Sequence, residues 1–157
     1  MTIRIGDRSP GFRAPTSHGQ TLDDEAFRDK LAVVLFFASD PADPMTQIEL
    51  DGWDEHLVDF GHLRVQVLGV VAVTPKELRE FAEERNLAVT LLADPDRSLE
   101  TTFAVDGDPG ATVVVDRQGT VASTMTRRDP VRHAAEVLRH VAGLRLVADT
   151  MGPSTET

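Results

Sequence analysis

Asp40, Asp43 and Glu49 bring three carboxylates together around a turn-rich stretch, Ala38-Ser39-Asp40-Pro41-Ala42-Asp43-Pro44, that runs into Met45-Thr46. Acidic groups at such spacing can hold a cation through oxygen ligands or divide into an acid and a base. Asp40 and Asp43 also have a plainer use as loop and helix N-cap residues, because a short side-chain oxygen accepts from the free N–H groups of a first helical turn. Capping is the favoured reading. Met45 is oxidisable to the sulfoxide, but methionine at this spacing ordinarily fills core. The imidazoles are His18, His56, His62, His133 and His140, and none of them has the i, i+4 partner that brings two ligands to one metal. His133 and His140 are seven apart and can share a helix face, yet all five read as surface histidines, and no metal or cofactor is expected. Asp94 with Asp96, and Asp106 with Asp108, flank Pro95 and Gly107 and read as turn chemistry. Arg127-Arg128 reads as a solvated loop. No Ser-His-Asp order, phosphate-cradling glycine loop or dinucleotide fingerprint is present. The chain contains no cysteine, which excludes disulfides, thiolate zinc sites and thiol redox chemistry together.

The net charge of −10, spread along the chain, disfavours nucleic acid and anionic membrane as partners, since both reward a basic face. No apolar run approaches a membrane span, and Met1–Arg13 lacks the apolar segment of a secretory signal, so a cytoplasmic location is the expectation. A length of 157 residues suits one α/β domain, expected over 1–148, with a polar tail over 149–157.

The elements that must position these groups follow from apolar patterning. Leu31–Phe37 and Val65–Val73 are continuous apolar runs, the mark of strands covered on both faces. The spacing of Met45, Ile48, Trp53, Leu57 and Phe60 predicts one helix over Met45–Phe60 with those residues inward. Thr74-Pro75 predicts an N-cap and first helical residue, with a helix to Arg85. Leu91–Ala93 predicts a short strand, Ser98–Phe103 a short helix, and Thr112–Val115 with Thr120–Thr124 a hairpin around Asp116-Arg117-Gln118-Gly119. Ala14-Pro15 and Thr21 flank a turn between short edge strands. Pro130–Ala142 predicts a closing helix with Val131, Ala134, Leu138 and Val141 inward. Two βα units, a hairpin and a last helix give a mixed sheet flanked by helices.

From Arg4 to about Met125 the chain resembles the peroxiredoxins, the alkyl hydroperoxide reductase and thiol-specific antioxidant family, and looks most like their one-cysteine actinobacterial branch. The resemblance rests on ordered pieces. Gly6–Phe12 is similar to the family opening G-x-x-A-P-x-F. Gln47–Leu50 running on to His56–Phe60 resembles the helix after the catalytic loop. Leu91-Leu92-Ala93-Asp94-Pro95-Asp96 resembles L-L-S-D-P-D, and Thr112–Gly119 resembles T-F-V-V-D-x-x-G. The resemblance implies a thioredoxin-like fold and a site P-x-x-x-T-x-x-C with a distant arginine. Anchored on Gln47–Leu50, those positions hold Ser39, Asp43, Thr46 and Gly110, and none is the family's residue. A register shifted by one puts Met45 at the cysteine, with Ala38 and Ala42 upstream, and the register stays open.

Peroxide reduction needs a soft ionised nucleophile, which a threonine hydroxyl does not supply. Asp43 adds negative charge where the family site favours an anion, and Gly110 removes the positive partner. The expected function is therefore a peroxiredoxin-like protein without a catalytic residue, a pseudoenzyme or binding module. Its ligand surface is expected near Ser39, Asp40, Asp43, Met45, Thr46 and Glu49, for a small molecule or protein still to be identified. Two alternatives stay open: an enzyme with non-thiol chemistry in the rewritten pocket, and an assembly protein. Peroxiredoxin-like folds often dimerise near this loop, so a homodimer is possible, and Trp53 or Val58 at the surface would mark its face.

Overall fold

The run AVVLFFA at Ala32–Ala38 is buried along its whole length, as a central strand must be when both faces carry apolar side chains. It is the third strand, β3, of a computed structural model that describes residues 2–38, 40–105, 108, 110–126 and 129–144. Ser39, Asp106, Gly107, Arg127, Arg128 and the 149–157 tail lie outside the described residues. Before β3 come a small hairpin, β1 (Arg13–Pro15) and β2 (Thr21–Asp23), and a single 3₁₀ turn at Asp24–Ala26. After it follow α1 (Pro44–Glu55), α2 (Leu57–His62), β4 (Val65–Val71), α3 (Pro75–Arg85), β5 (Thr90–Ala93), α4 (Ser98–Thr102), β6 (Thr112–Val115), β7 (Val121–Met125) and α5 (His133–Gly143).

The main sheet has five strands in the order β5-β4-β3-β6-β7. β4 is parallel to β3 and β5 parallel to β4, while β6 runs antiparallel to β3 and β7 antiparallel to β6. Alternation along β3 divides the core. Ala32, Val34, Phe36 and Ala38 face a cluster with Leu50, Trp53, Phe60, Leu78, Val137 and Val141, drawn from α1, α2, α3 and α5. Val33, Leu35 and Phe37 face a second cluster with Phe12, Ala14 and Phe103, supplied by the N-terminal segment and the end of α4. The result is the expected α/β architecture, a mixed central sheet flanked by helices.

Local chemistry sets the boundaries. Thr74 and Glu77 form a reciprocal capping box with Pro75 in the first turn of α3, and Asn86 closes that helix in the left-handed conformation at φ 55°. The Thr74 N–H and hydroxyl hold the Glu77 carboxyl below its usual range. That contribution is present above the ordinary carboxylate pKa and is lost as pH falls through the lowered folded value. Asp116 accepts from the N–H groups of Gln118 and Thr120, and Gly119 takes φ +84°, which closes the β6–β7 turn. Asp94 is buried and accepts from the N–H groups of Leu99 and Glu100, both at 3.0 Å, so it anchors the start of α4.

Three expectations need correction. The single helix over Met45–Phe60 is two, broken at His56, whose N–H reaches back only to the Trp53 carbonyl at 3.2 Å. That tighter turn redirects the chain so that Phe60 is fully buried. The inward face of α1 is Thr46, Glu49, Leu50 and Trp53, whereas Met45 and Ile48 lie on the solvent side at 44% and 42% exposure. At the C-terminal end, the last helix begins at His133 rather than Pro130, Val131 is exposed, and the inward set is His133, Ala134, Val137 and Val141.

Candidate functional site

The loop after β3 carries the residues singled out from the sequence, and their backbone neighbours explain their placement. Asp40 accepts from the Ala42 N–H at 2.9 Å, and its own carbonyl accepts from the Asp43 N–H at 3.0 Å. Asp43 is the N-cap of α1, its carboxylate accepting from the Met45 N–H at 2.9 Å, with Pro44 next in the first turn. Gln47 fixes the loop from the helix side by donating to the Pro41 carbonyl at 3.1 Å. Both aspartates therefore act on the loop's own N–H groups. The positive end of the α1 dipole, where an incoming anion would sit, already has a carboxylate.

The remaining candidates separate by face. Met45 is exposed on the first turn, whereas Thr46 is buried to 8% exposure. Glu49 is 3% exposed and lies with Thr46 on the inward face of α1, not at a mouth shared with Asp40 and Asp43. It accepts from the Trp53 indole Nε1–H at 3.1 Å, one helical turn on. Gly110 sits at the entry to β6, its N–H donating to the Asp108 carboxylate at 2.8 Å. Because β6 runs antiparallel to β3, with Leu35 opposite Val113, the stretch that leads into β6, with Gly110 two residues before it, lies toward the C-terminal end of β3. The topology thus brings Asp43 and Thr46, at the start of α1, and Gly110, ahead of β6, to the same end of the sheet although the side chains differ from the family's. Ser39 lies outside the described residues. The groove that this loop borders takes in Asp40 and Gln47, and its lining leaves out Asp43, Thr46 and Gly110.

The structure also shows polar contacts that the sequence reading missed. His133 is not a surface residue: it is 1% exposed, its ring meets Trp53 edge to face at 5.7 Å, and its Nε2 lies 2.7 Å from the Thr112 hydroxyl. His140 makes the matching contact one β-strand over, Nε2 to the Ser123 hydroxyl at 2.6 Å. The two histidines of α5 bind separate hydroxyls of the β6–β7 hairpin instead of converging. Among the described residues no group of three His, Asp or Glu side chains is placed to hold a metal. The signal for His133 was present in the sequence, because residues 133, 137 and 141 repeat at helical spacing with two valines. The signal for Glu49 was Trp53 at i+4, a buried indole that needs an acceptor.

Comparison with known proteins agrees with this geometry. The AhpC/TSA family model matches residues 5–124. Peroxiredoxin Bcp of Bacillus subtilis (strain 168) is 26% identical over 150 residues, covering 88% of this chain and 95% of that protein. The crystal structure of peroxidoxin BcpB from Mycobacterium tuberculosis superposes with a TM-score of 0.79 at 21% identity, over 91% of this chain and 99% of the other. A cysteine-to-serine mutant of PrxQ from Xylella fastidiosa gives 0.81 at 18% identity, over 91% and 98%. The fold is therefore the thioredoxin-like fold of the peroxiredoxins. With the family model spanning the sheet from the N-terminal segment to β7, this cysteine-free chain belongs to the AhpC/TSA family.

Proposed function

We propose that the chain is a non-peroxidase member of its family, a pseudoenzyme that works as a binding module. The observation that carries this reading is the first turn of α1. It presents Pro44, Met45 and Thr46 behind the Asp43 carboxylate, with no thiol in the whole chain. A peroxidatic thiolate owes its low pKa to a helix N-terminus and a neighbouring cation. Here the N-terminus is capped by an anion, and Gly110 supplies no positive charge. Neither the hydroxyl of Thr46 nor the thioether of Met45 substitutes for a thiolate in a catalytic cycle run by a thiol reductant.

The test is consumption of hydrogen peroxide and of an alkyl hydroperoxide by pure protein with dithiothreitol. The expected result is no consumption above the reductant alone, for wild type and for Thr46→Cys and Met45→Cys taken singly. The introduced thiols should titrate no lower than the unperturbed value of about 8.5, the buried one at position 46 above it, read from the pH dependence of iodoacetamide alkylation. Catalytic turnover by the wild-type chain overturns the reading.

A second reading, assembly as a homodimer, rests on one observation. Met45 and Ile48 lie three residues apart on the solvent side of α1, and Val58 of α2 is 70% exposed. Trp53, the other residue expected to mark such a face, is fully buried and drops out. Sedimentation equilibrium should show a reversible dimer that Ile48→Glu abolishes. A monomer at every concentration removes this reading.

A further inference from the structure

The loop after β3 and helix α3 enclose an open groove of about 490 Å³. Its floor is apolar: Val73 and Phe81 pack against the main core and remain only partly buried, with Pro41 beside them. Its rim is acidic. Glu77, Phe81 and Glu84 follow one another at i, i+4 and i+7, so the aromatic ring lies between two carboxylates on a single helical stripe, and Asp40 faces them from the loop. No ion pair among the described residues involves any of these three carboxylates. Arg85, next in sequence to Glu84, is committed elsewhere: it donates to Asp51 through Nη2 at 3.0 Å and to Gln47 through Nη1 at 3.1 Å. Like charges on both walls repel one another, and they do so on a protein whose net charge is already −10.

We propose that this groove docks a basic amphipathic segment of a partner protein, its apolar residue on Phe81 and its lysines or arginines against Asp40, Glu77 and Glu84. The proposal rests on the binding-module reading and gives it a surface and a partner chemistry. Charge complementarity selects the occupant: an acidic segment would be repelled by both walls, and a purely apolar one would desolvate three carboxylates without supplying a counter-charge. The openness of the groove suits a peptide segment laid along α3 better than an enclosed small molecule.

The test uses a fluorescein-labelled helical peptide of Lys and Leu, with Leu at helical spacing, titrated into the full chain by anisotropy. Two companion peptides replace Leu by Gln or Lys by Glu. Asp40→Asn/Glu84→Gln keeps the loop's Ala42 contact and the Thr74–Glu77 cap while removing two charges. Glu25→Gln/Glu55→Gln removes the same charge from exposed positions elsewhere. The groove variant should weaken binding about tenfold and the control variant less than about twofold, with both companion peptides binding poorly. Amide shifts in NMR spectra should concentrate in residues 40–47 and 73–84. Equal weakening by the two variants, or shifts scattered over the surface, means unspecific attraction to an acidic protein and overturns the proposal. Shifts at the groove on raising the protein's own concentration assign it to a second copy and also overturn it. Peroxide consumption measured on the same preparation keeps the readings apart. Turnover defeats the non-peroxidase reading whatever the peptide does, and absent peptide binding without turnover defeats only the groove.

Discussion

Trp53→Ala is expected to cost about 3–5 kcal/mol of stability, a large part of what a domain of this size has. The indole is fully buried and stacks on Phe36 with centroids 4.5 Å apart and planes 11° from parallel. It also meets Phe60 at 5.8 Å and the His133 ring at 5.7 Å, so it joins α1 to β3, α2 and α5 at once. Truncation leaves a cavity that four elements would have to collapse together to fill. It also strips the Nε1–H donor from Glu49, which is itself 3% exposed. Trp53→Phe narrows the comparison, because it keeps an aromatic ring on Phe36, removes the donor and leaves a smaller void than alanine does. Its expected cost is about 1–3 kcal/mol. Urea unfolding followed by far-UV circular dichroism reads both, since the chain's single tryptophan is the residue removed. A Trp53→Ala loss under about 1 kcal/mol would mean that the stack is not the centre of the core.

The second large effect is expected at Gly69, where alanine should lose about 1–3 kcal/mol or somewhat more through overpacking. Gly69 lies mid-strand in β4, directly opposite Phe36 of β3. The missing side chain makes room for that ring: a Cβ there would come within 2.9 Å of Phe36 Cε1 and 2.7 Å of Leu91 Cδ2. The ring cannot swing aside, because Trp53 lies against it at stacking distance. Phe36→Leu in the Gly69→Ala background should therefore recover part of the loss. A double-mutant cycle is expected to return a coupling of at least about 1 kcal/mol. Additive losses would show that the contact is not what makes glycine necessary.

What the chain disclosed about itself depended on how many neighbours each signal needed. The runs at Leu31–Phe37 and Val65–Val73, the Thr74-Pro75 start and the Asp116–Gly119 turn are local, and their elements formed within a few residues of expectation. The faces of the helices were less legible. Met45 and Ile48 are apolar at plausible spacing, but the buried stripe of α1 runs through Thr46 and Glu49, because Glu49 is an acceptor for Trp53 and Trp53 packs on Phe36. No periodicity rule places a carboxylate inside a core when the reason is an indole one turn away. His133 differs in part: its spacing with Val137 and Val141 marked it as inward, but the hydroxyl that satisfies it, on Thr112, is 21 residues distant. At the candidate site the missing thiol and the cap at Asp43 were readable directly. The groove was not, because its two walls, the Asp40 loop and the Glu77–Glu84 stripe, are far apart in the chain and meet only in the fold.

Both edges of the main sheet are held by the N-terminal segment. Ser17 exchanges bonds with Leu91 on the outer side of β5, through its N–H to the Leu91 carbonyl at 2.9 Å and its hydroxyl from the Leu91 N–H at 3.1 Å. Gly6 and Asp7 do the same for Val121 at the start of β7, at 2.9 and 2.8 Å. Residues 6–17 therefore complete their pairing only with strands that come much later in the chain. Pairing across 74 residues for Ser17 with Leu91, and across still more for Gly6 with Val121, is non-local closure of the kind that slows folding. Until residues 6–17 make these pairings, both outer strands of the main sheet present unpaired edges open to mispairing.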